Sequence, residues 1–297
     1  MDEFVSTLNG HTSWVRSVSF SPDSKYVVSG SHDESVKIWS TESGEVVRTL
    51  NGHTRGVNSV SFSPDGKYVV SGSLDKSVKI WSTESGEVVR TLNGHTHWVN
   101  SVSFSPDGKY VVSGSEDNSV KIWSTESGEV VRTLNGHTDT VNSVSFNPDG
   151  KYVVSGSEDK SVKIWSTKSG EVVRTLNGHT LLVTSVSFSP DGNYIVSGSA
   201  DKSVKIWSTE SGEVVQTFKR TFNGHTNDVN SVSFSPDGKY VVSGSFDSSV
   251  IIWSTESGEI VRILNEHTDW VWSVSFSPDG KYVVSGSRDE SVKIWSY

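Results

Sequence analysis

A histidine in a near-constant setting returns at His11, His53, His95, His137, His179, His225 and His267. The spacing is 42 residues throughout, except for 46 between His179 and His225. Repetition at this period constrains the fold more than any other feature, because about 40–45 residues is the length of a small four-stranded unit. Seven such units account for the 297 residues, so the chain is expected to be one repeat domain over 1–297 rather than two unrelated ones.

Inside a unit the periodicity is that of strands. The first holds "WVRSVSF" at 14–20, "KYVVSGS" at 25–31, "SVKIWS" at 35–40 and "EVVRTL" at 45–50, all short and rich in β-branched and aromatic residues. Between them lie turn sequences such as Pro64-Asp65-Gly66 and Ser85-Gly86, in which proline presets φ and glycine accepts a positive one. No segment has helical spacing. A four-stranded sheet buries little by itself, so the seven are expected to stack radially into an all-β propeller of antiparallel blades. The blades fall at about 13–50, 55–92, 97–134, 139–176, 181–218, 227–264 and 269–297 plus 4–8. The last group is split because "FVSTL" at 4–8 matches a fourth strand and the final unit stops after its third, so the N-terminal strand is expected to close the ring.

Composition narrows the chemistry. A net charge of -9 opposes a sequence-independent grip on nucleic acid. No apolar run reaches the roughly 18–20 residues of a membrane span, and the N-terminus lacks the apolar core of a secretory signal, so a cytoplasmic chain with no membrane contact is expected. With no cysteine there is neither a disulfide nor a thiolate site. One repeated histidine per blade cannot converge on a metal, no phosphate-binding glycine motif occurs, and no cofactor is expected. His32 and His97 stand outside the repeat and read as solvated loop residues.

Four residue types recur at fixed positions. They are His11, Ser29, Asp33 and Trp39; His53, Ser71, Asp75 and Trp81; His95, Ser113, Asp117 and Trp123; and His137, Ser155, Asp159 and Trp165 in the first four units. His179, Ser197, Asp201 and Trp207; His225, Ser243, Asp247 and Trp253; and His267, Ser285, Asp289 and Trp295 complete the set. Serine, histidine and aspartate are the ingredients of nucleophilic hydrolysis, which keeps a hydrolase as an alternative. An active site has no need of seven copies, whereas a repeated scaffold needs each one, so no catalytic residue is assigned. The pattern "NGHT…V…SVSFSPDGKYVVSGS.D.SVKIW" resembles the WD-repeat (WD40) β-propeller family over residues 4 to 297, although Trp-Ser stands where that family has its Trp-Asp pair. The resemblance implies that histidine, serine, aspartate and tryptophan form a buried hydrogen-bonded tetrad in each blade.

The units differ mainly at three positions: the two residues flanking the valine after "GHT", and the residue before the tetrad aspartate. In order these are Trp14, Arg16 and His32; Gly56, Asn58 and Leu74; Trp98, Asn100 and Glu116; and Thr140, Asn142 and Glu158. Leu182, Thr184 and Ala200; Asp228, Asn230 and Phe246; and Trp270, Trp272 and Arg288 follow. Strand alternation places the flanking pair on one side, and in the resembled family this end is the top face around the central channel, where partners commonly bind. Trp14, Arg16, His32, Trp98, Phe246, Trp270, Trp272 and Arg288 are the candidate contacts for a protein or peptide, all but Trp98 forming one arc across blades six, seven and one. An acidic or phosphorylated end could use the arginines and a methylated lysine the tryptophans. Glu116, Glu158 and Asp139 make blades three and four acidic, while Leu181, Leu182 and Ala200 make blade five apolar. A monomer is expected, and a recently amplified or designed repeat with no ligand of its own is the alternative. Two irregularities remain: Glu266 replaces a turn glycine, with φ strain expected, and extra residues at 219–222 are expected to bulge at the top rim with Lys219 and Arg220.

Overall fold

The computed structural model describes residues 4–218 and 224–296, and these form strands β1 to β28, numbered in chain order, with no helix among the described residues. Seven antiparallel four-stranded sheets make the blades of a ring. The first blade runs from β2 (Val15–Phe20), at the channel, through β3 (Tyr26–Ser31) and β4 (Ser35–Ser40) to β5 (Val46–Asn51) at the rim. The seventh holds β26 (Val271–Phe276), β27 (Tyr282–Ser287) and β28 (Val292–Ser296), and its fourth strand is β1 (Phe4–Leu8), paired with β28. The lengthened connection at 219–222 lies outside the described residues.

The core lies between blades rather than within them. Val28, Val36, Ile38 and Leu50 of one blade pack against Val57, Val60, Phe62, Val69 and Trp81 of the next, and this cluster is repeated around the circle. Burying each such side chain contributes about 1.5–3 kcal/mol, so stability rests on neighbours being present. The glycine of "SGS" permits the close approach: a Cβ on Gly30 would stand 2.7 Å from Val57 Cγ1 of the next blade. The seam is built the same way, with Gly286 against Val15. Directly beneath, each innermost strand lends a serine hydroxyl to its neighbour. Val60 N–H donates to Ser17 Oγ at 3.0 Å, and Val18 N–H closes the circle on Ser273 Oγ at 3.1 Å.

Every innermost strand is bulged one residue after its first valine, as between Val15 and Ser17 and between Val271 and Ser273. The bulge gives the strand an extra residue that the neighbouring strand does not match and re-aims its side chain. The unmatched residues are Arg16, Asn58, Asn100, Asn142, Thr184, Asn230 and Trp272, one of the variable sets. Glu266 carries no positive φ, so the expected strain is absent: the backbone there does not need glycine. What the equivalent glycines offer is room beside the tetrad tryptophan, since a Cβ on Gly52 would lie 3.1 Å from Trp81 Cη2.

Candidate functional site

Beneath the top face the four recurrent residues of each blade form one chain of hydrogen bonds. In blade one Trp39 Nε1–H donates to Ser29 Oγ, the Ser29 hydroxyl donates to His11 Nε2, and His11 Nδ1–H donates to Asp33 Oδ2, each at 2.7 Å. This is the tautomer that uses every proton. Across the seven blades the histidine–serine distance is 2.6–2.7 Å and the histidine–aspartate distance 2.7–3.0 Å. The aspartate does more than orient the ring. Asp33 also accepts from Thr12 N–H at 3.1 Å and from Ser35 N–H and Oγ–H at 2.9 and 2.6 Å, so Ser35 is a fifth member that sequence reasoning missed. Its signal was present, a serine two residues after every tetrad aspartate. The residue between them, Glu34 in blade one and Lys160 in blade four, is held at φ 70 without being glycine. The aspartate bonds hold that turn against its intrinsic cost.

Burial raises the Asp33 carboxyl, but hydrogen bonds from His11 and Ser35 and the nearby His11 ring outweigh it and hold the group well below the usual carboxylate range. The other six aspartates behave alike. In His267 burial prevails over the attraction of Asp289 and lowers the pKa. The serine–histidine–aspartate distances match those of a nucleophilic triad. Yet Ser29 is 0% exposed and its oxygen already accepts the indole proton, which leaves no approach for a substrate carbonyl.

Above this layer the variable residues from all seven blades converge on the mouth of the channel, a cavity of about 460 Å³. Arg16, His32, Trp98, Phe246 and Trp272 line it, together with Asn58, Asn100, Glu116, Asn142, Glu158, Leu182 and Asp228. Trp14 and Trp270 are not part of its wall but pack against residues that are, and Arg288 lies behind them on both. Ala200 is buried, which leaves Leu181 and Leu182 as the apolar part of blade five.

The arc across blades six, seven and one is already packed on itself. Phe246 stacks on Trp270 with ring centroids 4.1 Å apart and meets Trp272 edge-on at 4.8 Å, and Trp14 stacks on Trp272 at 6.5 Å. The Arg16 guanidinium lies 3.6 Å above Trp272, while that of Arg288 lies 4.7 Å from Trp14 and 4.5 Å from Trp270. Burial lowers the Arg16 pKa to about 10. The aromatic faces that would cage a foreign cation are therefore covered by the protein's own. His32 corrects the sequence reading: it is no solvated loop residue but stacks on Trp14 at 5.1 Å, and burial with the Arg16 charge lowers its pKa. His97 is exposed and pairs with Glu116 at 2.8 Å.

The bulge residues explain part of the variation. Asn58, Asn100, Asn142 and Asn230 each donate to the carbonyl of the first valine in the next blade, at 2.9–3.3 Å, and the Thr184 hydroxyl does the same to Val229. Asparagine there is a scaffold residue. Arg16 and Trp272 are the two departures, and they contact each other.

Elsewhere on the rim charge is left uncovered. Glu158 is raised from its ordinary value by burial, then by Asp139 and Glu116, and Asp228 is raised by burial against the opposing charge of Lys202. Two polar atoms of the cavity wall lack partners: Asn58 Oδ1 and Trp272 Nε1. Among the described residues no cluster of three histidine or acidic side chains could hold a metal.

A family model described as "WD domain, G-beta repeat" matches residues 2–40, 44–82, 216–254 and 258–296. A second, described as "Echinoderm microtubule-associated protein second beta-propeller", matches residues 68–225.

Proposed function

The chain belongs to the WD40 family of β-propellers, which generally serve as protein-interaction scaffolds, and we propose that it is a non-catalytic platform that binds a protein or peptide at the mouth of its channel. One observation carries this reading: most of the residues that differ beside the first valine and before the tetrad aspartate line a single cavity to which every blade contributes. Binding hot spots favour tryptophan and arginine in a partly enclosed setting, and Trp98, 37% exposed with no aromatic partner but the tilted His97, is the rim's most available aromatic group.

The arc of blades six, seven and one supplies the rigid wall. The buried serines of the tetrads support the absence of catalysis, and ester or peptide hydrolysis by the purified protein would overturn it. A random peptide array probed with the parent, Trp98→Ala and Leu182→Ala tests the binding reading. Captured peptides are expected to lose affinity about tenfold in either variant, equivalent to about 1.4 kcal/mol. Equal capture by all three, or no capture by the parent, would favour an amplified repeat with no ligand of its own.

A further inference from the structure

The mouth has two chemical halves, and they select different ligands. On the side of blades six, seven and one, both arginines are committed: Arg16 over Trp272, and Arg288 between Trp14 and Trp270 with Asp269 at 3.7 Å. An anion approaching there must break contacts the protein already makes. On the other side, in blades three and four, Glu158 forms no ion pair within 4 Å among the described residues, and Glu116 has only the exposed His97. Asp139 and Glu116 crowd Glu158 with like charge, and a ligand cation would relieve it.

A second observation points to a ligand independently of charge. Asn58 is 8% exposed and anchors its amide nitrogen to Val99 O and Asn100 Oδ1, at 3.2 Å each, yet its Oδ1 accepts nothing. The nearby His32 ring interacts with it as a hydrogen-bond donor, but too loosely to satisfy it. Trp272 Nε1–H, in the same wall, donates to nothing. Buried orphan groups are rare in native structures and call for a partner. An extended peptide carries both kinds, an N–H for Asn58 and a carbonyl for Trp272 Nε1–H.

Resting on the channel-mouth reading above, we infer that the ligand is an extended peptide segment presenting a lysine or arginine side chain to Glu158 and Glu116, its backbone engaging Asn58 Oδ1 and Trp272 Nε1. Trp98 borders the acidic half and offers an open aromatic face to the same cation.

The test uses three labelled nonapeptides of glycine, serine and alanine whose central residue is arginine, glutamate or phosphoserine, titrated into the full chain at low ionic strength and followed by anisotropy. The arginine peptide is expected to bind at least tenfold tighter than the other two. Glu158→Gln with Glu116→Gln is expected to remove that preference while the chain still melts cooperatively as a folded protein. Preference for glutamate or phosphoserine, or an arginine preference unchanged in the double variant, overturns the inference. In the second case, loss of binding in Trp98→Ala would still place the peptide at the mouth, whereas loss only in Tyr194→Ala, in the groove between blades five and six, would remove the channel-mouth reading as well.

Discussion

Blades four and seven share strands, turns and tetrad, yet above the tetrad they are opposites. Where blade four has Thr140, Asn142 and Glu158, blade seven has Trp270, Trp272 and Arg288. Asn142 bonds to the next blade and leaves Glu158 facing Asp139 and Glu116; Trp272 gives up that bond, and its ring is covered by Arg16 of blade one. The difference teaches that the fold is specified one layer below the surface at which the blades diverge. It is a layer that can be kept constant while the rim changes from self-satisfied to charged.

The largest effect expected is at the constant layer, and it should be the same in both blades. Asp159→Ala and Asp289→Ala each strand a histidine, a serine and a threonine N–H. Each is expected to cost on the order of 1–3 kcal/mol by denaturant melting. A clear inequality would show that the rim reaches down into the tetrad. The same aspartates set the response to acid. Their folded-state pKa values lie below the ordinary ones, so their contribution is complete above about pH 4 and is lost as the pH falls further. Stability should therefore fall in acid, less steeply in Asp159→Asn than in the parent, after an earlier loss below about pH 6.5 as the lowered His267 and His32 take up protons.

The second comparison concerns the exception. Trp272→Asn restores the residue used by four other blades but uncovers the Arg16 guanidinium, so it is expected to destabilise, as is Arg16→Asn. The pair of substitutions together should cost less than their sum by about 1–2 kcal/mol, the size of a desolvated cation–π contact. Strict additivity would mean that the stacked geometry contributes nothing and that blades seven and one meet like any other two.

What was legible in the sequence follows the same division. Period, strand order, closure by β1 and the constancy of the histidine, serine, aspartate and tryptophan set are all repeated, and repetition makes local patterns unambiguous. The bulge at Arg16 and Trp272 was not legible, because a register shift is set by pairing between strands and leaves no local mark. For the same reason the asparagines at Asn58 and Asn142 read as variable when they are scaffold, their acceptor being 41 residues away. The fate of Arg16 and Arg288 was hidden too: which aromatic ring a guanidinium covers depends on curvature of the ring of blades. His32 was misread because its stacking partner, Trp14, is brought beside it only by the pairing of β2 with β3.

The smallest expected effect separates the two rims most directly. Burial and two neighbouring carboxylates raise Glu158 in the folded state, so the folded chain holds that proton more tightly than the unfolded one. A raised carboxyl contributes stability below its unfolded pKa, near pH 4.3, and loses it as the pH climbs through the folded value. At pH 7 the ionised side chain is therefore a net cost. Glu158→Gln, which keeps the shape and removes the charge, should be more stable than the parent at pH 7, by no more than about 0.5 kcal/mol for a partly exposed site. At pH 4 the two should melt together. Arg288→Gln in blade seven should do the reverse at pH 7, losing its contacts with Trp14, Trp270 and Asp269. If both substitutions lowered stability alike, the acidic half would be as internally satisfied as the aromatic one, and the contrast between the rims would lose its physical basis.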